Sequence, residues 1–296
     1  MLLRKIMSTS DRTAPVVLIL GFFDGIHLGH RRVINTAVNF AQENEAKTLL
    51  ITFKDSPAEY FSKNVEYIFS RSYSYNLIKT LGVNEIVECN FPELAQITAT
   101  DYLKNNLVQK YSPIAIFTGF NHTFGVNRSG TPEFLEQNQN NYNYKYFCSE
   151  ACLSKNEIVS STLIKKYLRE GNVVRAKELL GSPFALESNV VKGEQLGRKI
   201  GFPTANLPYP KKIVKIPYGV YLVKVLGKKA VLNWGIKPTV NGRKEGLEVH
   251  IPNFNEDLYG KNLKLEFIKK LRDEKKFGNI EELKAQIAKD VEECLK

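Results

Sequence analysis

One stretch organises the first half of the chain: Val16-Val17-Leu18-Ile19-Leu20-Gly21-Phe22-Phe23-Asp24-Gly25-Ile26-His27-Leu28-Gly29-His30. Its first five residues are all apolar, which predicts a strand buried on both faces. Helical spacing follows from about Leu28 to Gln42, and strands then alternate with helices as far as a strand at Ile114–Thr118. This alternation predicts right-handed crossovers and a parallel sheet. We therefore expect an α/β first domain.

The pattern changes near residue 181. Helical spacing runs from Ser160 to Leu180, and Gly181-Ser182-Pro183 ends it. Alternating apolar residues then predict four strands, at Tyr218–Leu226, Ala230–Trp234, Leu247–Ile251 and Leu263–Ile268. A final amphipathic helix is capped by Asn279. We predict two domains, residues 1–181 and 182–296, and expect the second to be a small antiparallel sheet or barrel with a C-terminal helix.

The composition of the 296 residues, 43% hydrophobic and 25% charged, is that of a globular protein. No stretch approaches the ~20 apolar residues of a membrane span, and the polar N-terminus lacks the apolar core of a signal peptide. We therefore expect a cytoplasmic protein without a membrane partner. Four scattered cysteines, Cys89, Cys148, Cys152 and Cys294, lack the spacing of a zinc site.

The net charge of +11 is uneven, since residues 1–181 hold 20 basic and 17 acidic residues whereas residues 182–296 hold 22 and 14. No run of Lys and Arg contains interleaved aromatic residues, so we expect small anionic substrates and no nucleic acid. The oligomeric state is left open by the sequence.

Two of the four histidines, His27 and His30, lie where the first predicted strand passes into the first helix. Open α/β sheets bind ligands at the carboxyl ends of their strands, and a helix N-terminus offers N–H groups to phosphate. We expect a nucleotide to bind here, with contacts from Gly21, Phe22, Asp24 and Gly29. The alternative is a pair of helix-start residues satisfied by local hydrogen bonds. A metal site fits poorly, because no carboxylate motif or cysteine accompanies the pair.

Adenylyl transfer from ATP suits two histidines at a helix start. The attacking phosphate oxygen is already anionic, so the reaction needs charge stabilisation more than a general base. Each well-placed imidazole donor could contribute roughly 3 kcal/mol of transition-state stabilisation. We therefore take His27 and His30 as candidate catalytic residues.

Two further segments could complete this site. Asn121 follows a predicted strand and could hold a nucleotide or flavin group, although Asn is also a common turn residue. Ser161, Thr162 and Lys165 open a helix and could offer hydroxyls and a cation to the phosphates. A plain helix cap with a solvated lysine is the alternative for that segment.

A second cluster of motifs lies after residue 190. Gly193, Gly197 and Gly201 recur every four residues in a predicted loop, and such loops let backbone amides approach phosphates. We expect Gly193, Gly197 and Arg198 to bind nucleotide. In extended backbone Thr204 and Asn206 face the same way, and their oxygens suit Mg²⁺. A simple turn at Gly201-Phe202-Pro203-Thr204 is the alternative.

A kinase acting on an alcohol must also remove a proton, and a carboxylate is the expected base. Glu248 alternates with Leu247 and Val249 and so points away from them. It is the candidate base, with a solvent-facing strand residue as the alternative.

The chain resembles the prokaryotic bifunctional riboflavin kinase/FMN adenylyltransferases, also called FAD synthetases. The matching segments occur in family order and include Gly21–His30, Thr118-Gly119-Phe120-Asn121, Ser160-Ser161-Thr162, Gly201-Phe202-Pro203-Thr204-Ala205-Asn206, Asn233-Trp234-Gly235, Glu248-Val249-His250 and Leu258-Tyr259-Gly260. Many nucleotidyltransferases share the His27–His30 element, whereas Phe-Pro-Thr-Ala-Asn is far more specific to riboflavin kinase modules.

The resemblance implies a Rossmann-like nucleotidyltransferase domain followed by a six-stranded barrel. It implies ATP as co-substrate with Mg²⁺, and riboflavin, FMN and FAD as substrates and products. His27 and His30 would bind ATP phosphates, Thr204 and Asn206 would hold Mg-nucleotide, and Glu248 would be the base on the riboflavin 5′-hydroxyl. Arg272 and Phe277 would lie in a flavin-side flap.

Three departures leave alternatives open. The family usually has Pro-His-Pro where Asp55-Ser56-Pro57 stands, and Arg where Lys165 and Lys237 stand. Lysine keeps the charge but loses the bidentate fork. The first two departures touch the adenylyltransferase half. The competing interpretations are an enzyme with one activity alone, a different nucleotide acceptor, and a non-enzymatic flavin-binding regulator or nucleic-acid binder.

Overall fold

The computed structural model describes residues 14–61, 64–193, 196–239 and 242–296, without the side chains of residues 196, 237–239 and 242–244. Packing divides the chain into two units. Unit 1 consists of Arg71–Ser160 and the described part of Met1–Val65, and unit 2 consists of Ser161–Lys296 with the short segment Glu66–Ser70. Within the described ranges, no helix has the length and apolar character that a membrane span needs.

Unit 1 is built on a five-stranded parallel sheet of order β3-β2-β1-β4-β5. Its strands are β1 (Val16–Leu20), β2 (Lys47–Phe53), β3 (Glu85–Cys89), β4 (Pro113–Gly119) and β5 (Lys145–Ser149). β1 is central and buried along its length, as its uninterrupted apolar run predicts. The strand order reverses between β1 and β4, so the carboxyl ends of these two strands border the crevice where such sheets bind ligands.

The helices of unit 1 cover this sheet. α1 (Leu28–Glu43) buries an apolar face that includes Ile34 and Ala37 against β1 and β4. The other helical segments are α2 (Pro57–Phe61), α3 (Arg71–Thr80), α4 (Phe91–Leu94), α5 (Ala99–Asp101), α6 (Gln109–Tyr111) and α7 (Pro132–Asn138). A π-helical stretch, Tyr102–Val108, joins α5 to α6. A short hairpin of β6 (Leu153–Ser154) and β7 (Glu157–Ile158) follows.

Unit 2 is a six-stranded antiparallel sheet of order β8-β13-β10-β11-β12-β9. Its strands are β8 (Ala185–Asn189), β9 (Ala205–Leu207), β10 (Gly219–Val225), β11 (Lys228–Thr239), β12 (Gly242–His250) and β13 (Asn262–Arg272), and its helices are α8 (Ser161–Arg169), α9 (Val173–Leu180), α10 (Leu196–Lys199) and α11 (Ile280–Leu295). The two edges meet where Val191 N–H donates to the Asn206 carbonyl at 2.8 Å. The sheet is therefore a nearly closed barrel, and the predicted fold class is confirmed.

The division by packing differs from the predicted domains at two places. α9 packs on β13 and fully buries Val173 and Leu179, so both helices before Gly181 belong to the packing unit of the barrel. Glu66–Ser70 belongs there too, because Phe69 is buried against Phe184. Apolar faces, and not the change of sequence pattern, decide where these segments pack, and the boundary at residue 181 stays a prediction.

Candidate active sites

In unit 1 the two histidines lie together at the start of α1. His27 is the N-cap, and its Nδ1 accepts a hydrogen bond from the His30 N–H at 3.3 Å. The two imidazole rings stack with centroids 3.6 Å apart. The preceding turn has left-handed backbone at Phe23 and Ile26, with φ of 56° and 45°. Such backbone costs about 1–3 kcal/mol for a residue other than glycine and clusters at functional sites.

Burial keeps both imidazoles neutral. Burial lowers the pKa of His27 to about 4, below its ordinary value of 6.5. The pKa of His30 is well below its ordinary value, first because of burial and second because of the charge that a protonated His27 would carry. At neutral pH each ring therefore has one N–H to donate. His30 Nδ1 has no hydrogen-bond partner among the described residues.

The predicted glycines of this turn make close approaches. A Cβ at Gly21 would lie 2.8 Å from the Phe23 ring, and one at Gly29 would lie 3.3 Å from the His27 ring. Gly29 thus makes room for His27, and its predicted contact with a nucleotide stays a prediction. Phe22 is half-buried and Asp24 is buried, both in the turn between β1 and α1.

The other residues predicted for the adenylyl site lie on separate elements. Asn121 is exposed in the turn that follows β4, a strand beside β1. Ser161, Thr162 and Lys165 lie on α8, which packing assigns to unit 2. Their roles at the phosphates stay predictions.

The sequence did not point to two further polar groups of unit 1. Arg71 donates to the carbonyls of Phe22 and Phe53 at the carboxyl ends of β1 and β2. His122 lies beside Phe124, with its Nε2 buried and unpartnered among the described residues. In the sequence, Arg71 could have been found only as a cation in the first turn of a helix, and His122 only as a third histidine that follows a strand.

In unit 2, strand register brings the predicted kinase residues together. Glu248 of β12 lies opposite Asn206 of β9 and Asn233 of β11. Leu247 and Val249 are fully buried, whereas Glu248 is half-buried and lines a cavity of about 280 Å³. The role of Glu248 as the base stays a prediction.

The residues predicted to lie on the flavin side line the same cavity. Arg272, Phe277 and Thr204 line it together with Glu248. Arg272 is held by Asp290 of α11, with its Nη2 2.7 Å from Oδ2 of that carboxylate. Asp290 was not identified from the sequence. The sequence feature that could have indicated it is an acidic residue on the apolar side of the last helix.

The glycine-rich stretch differs from the predicted loop, because Gly197 and Arg198 lie on the short helix α10. One turn forms there because the Phe202 N–H closes back on the Gly197 carbonyl at 2.8 Å. A Cβ at Gly197 would lie 2.4 Å from the Phe202 carbonyl oxygen, and one at Gly193 would lie 2.4 Å from the Asn206 amide nitrogen. Close packing against backbone therefore requires glycine at position 197, whereas at position 193 a side chain would displace the Asn206 amide.

A second cavity of about 280 Å³ also has Thr204 in its lining. Arg198, Pro203, Asp257 and Tyr259 line it, and Thr204 borders both cavities. The Pro203 carbonyl oxygen is 2.8 Å from His250 Nδ1, which ties this turn to the end of β12. Sequence reasoning gave His250 no role.

The donor set around Thr204 fits a hard cation. The Thr204 hydroxyl and the Asn206 amide oxygen are the ligand types that Mg²⁺ accepts beside phosphates and water. Among the described residues no group of three or more His, Cys, Asp or Glu could hold a metal. A cation here would therefore depend on phosphate ligands for most of its coordination.

Comparisons with known proteins find a family match for each half of the chain. The FAD synthetase family matches residues 9–163, and the riboflavin kinase family matches residues 180–296. The bifunctional riboflavin kinase/FMN adenylyltransferase of Buchnera aphidicola subsp. Schizaphis graminum is 34% identical, over 98% of this chain and 96% of the relative. The proteins of the same description from Escherichia coli strain K12 and Bacillus subtilis are each 32% identical, over 93% and 97% of this chain and 90% and 93% of the relatives.

A solved structure from Streptococcus pneumoniae, named a macrolide-efflux protein, matches with a TM-score of 0.87 and 28% identity, over 98% of this chain and 97% of that one. The similarity therefore spans both units in sequence and in fold.

Proposed function

The chain belongs to the bifunctional riboflavin kinase/FMN adenylyltransferase family, and from this premise we propose which residues perform each reaction. Unit 2 phosphorylates riboflavin to FMN with ATP, and unit 1 transfers an adenylyl group from ATP to FMN to give FAD. The FAD synthetase match ends at residue 163 and the riboflavin kinase match begins at residue 180. The two matches do not overlap, which supports the assignment of one reaction to each part of the chain.

One observation carries the kinase proposal: Thr204 borders two cavities of similar size. The cavity with Glu248 takes the flavin, and the cavity with Arg198 takes the nucleotide. Thr204 and Asn206 hold Mg²⁺ between them, and the cation, when bound, neutralises charge on the phosphates. The close packing of Gly193 on Asn206 supports a fixed amide at this point.

Glu248 is the base of the kinase reaction. A primary hydroxyl gives up its proton as its oxygen attacks the γ-phosphate, and a carboxylate that lines the acceptor cavity can receive that proton. Asn233 lies opposite Glu248 in the register, so β11 and β9 hold Glu248 from both sides. Arg272 and Phe277 close the same cavity toward α11 and contact the flavin.

His27 and His30 stabilise charge in the adenylyl reaction. Both are neutral donors at neutral pH, and they stand at the positive end of α1. The FMN phosphate is the nucleophile and needs no base, so donors aimed at the α-phosphate and pyrophosphate are the groups required. Gly21, Phe22 and Asp24 shape the same turn.

The cytoplasmic location stays a prediction from the sequence.

Two single substitutions test the division of roles. We expect Glu248→Gln to abolish riboflavin phosphorylation and to leave adenylylation of supplied FMN intact, whereas His30→Ala should do the reverse. Each remaining activity is the folding control for the other variant, and Glu281→Gln, an exposed carboxylate on α11, is the matched control. Loss of both activities in either folded variant would contradict the assignment of separate sites.

A further inference from the structure

Arg71 is the first residue of α3, where a cation is not favoured. The N-terminus of a helix carries partial positive charge, so the helix dipole prefers an acidic residue in this turn. The stability of α3 therefore does not explain a guanidinium at this position. The hydrogen-bond and ring partners of Arg71 explain it.

The Arg71 side chain ties together the ends of two neighbouring strands. Nη1 donates to the Phe22 carbonyl at 3.4 Å, and Nη2 donates to the Phe53 carbonyl at 2.5 Å. Nη2 also lies 3.3 Å from the Thr52 hydroxyl oxygen, and that hydroxyl donates to the same Phe22 carbonyl. Phe22 lies in the turn after β1, which borders the crevice, and Phe53 ends the neighbouring β2, so Arg71 fixes the turn after β1 against the end of β2.

Two rings and a third partner hold the guanidinium in place. Its central carbon lies 4.7 Å from the centroid of the Phe22 ring and 4.8 Å from that of Tyr75. The Tyr75 hydroxyl accepts from Nη2 at 2.8 Å and donates a hydrogen bond to Glu88 Oε1. Such planar, multidentate contact is what arginine offers and lysine does not.

The residue that Arg71 holds begins the strained turn before α1. After Phe22, the backbone is left-handed at Phe23, Gly25 and Ile26. Strained backbone persists only where its surroundings determine it. On the far side of the turn, Arg31 Nε donates to the Ile26 carbonyl at 3.0 Å. The turn is thus held by one arginine at each end, and His27 follows directly.

We propose that Arg71 is a positioning residue for adenylyl transfer: it fixes the Phe22 carbonyl against the end of β2 and thereby sets the turn that presents His27 and His30. The inference rests on the proposed role of these two histidines. The contacts of Arg71 run through its two terminal nitrogens, and its buried Nε has no partner among the described residues.

The test compares Arg71→Lys and Arg71→Met with the wild type and with Lys79→Met, which removes an exposed cation from the same helix. FMN adenylylation is measured as separate kcat and KM values, and riboflavin phosphorylation is measured in the same preparations. Arg71→Lys keeps the positive charge and the aliphatic part of the side chain. We therefore expect it to fold even if Arg71→Met does not. We expect Arg71→Lys to lower kcat for FAD formation about 10- to 100-fold, because small displacements of catalytic groups cost that much. The KM values should change less than about threefold, as for groups that act in the transition state.

A second variant makes the test more specific. Thr52→Val removes the other donor to the Phe22 carbonyl, so its effect on kcat should not be additive with that of Arg71→Lys. A folded Arg71→Lys protein with wild-type kcat, even with a lower melting temperature, would show a purely structural role and overturn the inference. Wild-type protein that makes no FAD would instead overturn the proposed function on which the inference rests.

Discussion

Replacing His122 by phenylalanine should make unit 1 more resistant to acid. The His122 ring lies 5.7 Å from the Phe124 ring, and its Nε2 is buried and unpartnered among the described residues. Burial lowers the pKa of His122 to about 4, whereas the ordinary value is 6.5. Phenylalanine keeps an aromatic ring beside Phe124 and cannot be protonated.

The sign and size of the effect follow from these two pKa values. Between pH 6.5 and pH 4 the unfolded chain binds a proton at this position and the folded chain does not. The stability that neutral His122 contributes is therefore present above pH 6.5 and is lost as the pH falls toward 4. At 1.36 kcal/mol per pKa unit, the full loss is about 3 kcal/mol, of which about 2 kcal/mol has occurred by pH 5.

Denaturant unfolding at pH 7.5 and at pH 5 measures this loss. Circular dichroism follows both units, whereas the single tryptophan, the buried Trp234 of β11, reports unit 2 alone. We expect the unit 1 transition of His122→Phe to lose about 2 kcal/mol less than that of the wild type between the two pH values. His250→Phe in unit 2 is the control and should leave the unit 1 difference unchanged. Equal losses in wild type and His122→Phe would show that His122 does not titrate with a lowered pKa in the folded protein.

Three further predictions concern unit 2. Asp290→Ala leaves Arg272 half-buried without its carboxylate and should lower the free energy of unfolding by about 3 kcal/mol, measured by Trp234 fluorescence. Phe69→Ala should cost unit 2 about 3–5 kcal/mol, although residue 69 lies within the first half of the sequence; a loss confined to unit 1 would contradict the packing described. Gly197→Ala places a Cβ 2.4 Å from a backbone oxygen in the cavity with Glu248, so the rate of riboflavin phosphorylation should fall about tenfold or more and that of FMN adenylylation should stay unchanged.

The sequence predicted those parts of the fold that depend on local pattern. The apolar run of β1 and the alternation of Leu247, Glu248 and Val249 each reflect which faces of a strand are buried. The sequence therefore predicted both the presence of these strands and the direction of their side chains. The pairing of Glu248 with Asn206 could not be predicted in the same way. It depends on the register of β12 against β9, which is set by the closure of the barrel and not by either segment alone.

Contacts between distant segments account for most of what was missed. Arg71 is significant only because α3 brings it to the ends of β1 and β2, and Asp290 only because α11 brings it to Arg272. Glu66–Ser70 packs with unit 2 although the alternation around it is that of the parallel sheet. Neither residue spacing nor composition contains this information, because side-chain partners far apart in sequence are chosen by the tertiary fold.

The most direct test of two activities in one chain is a product time course. Purified wild-type protein is incubated with riboflavin, ATP and Mg²⁺, and the flavins are separated at intervals. We expect FMN to appear first and then to be converted to FAD, and we expect chelation of the cation to stop the formation of both. FMN that accumulates without any FAD would show that the site of His27 and His30 is inactive on FMN and would contradict the account.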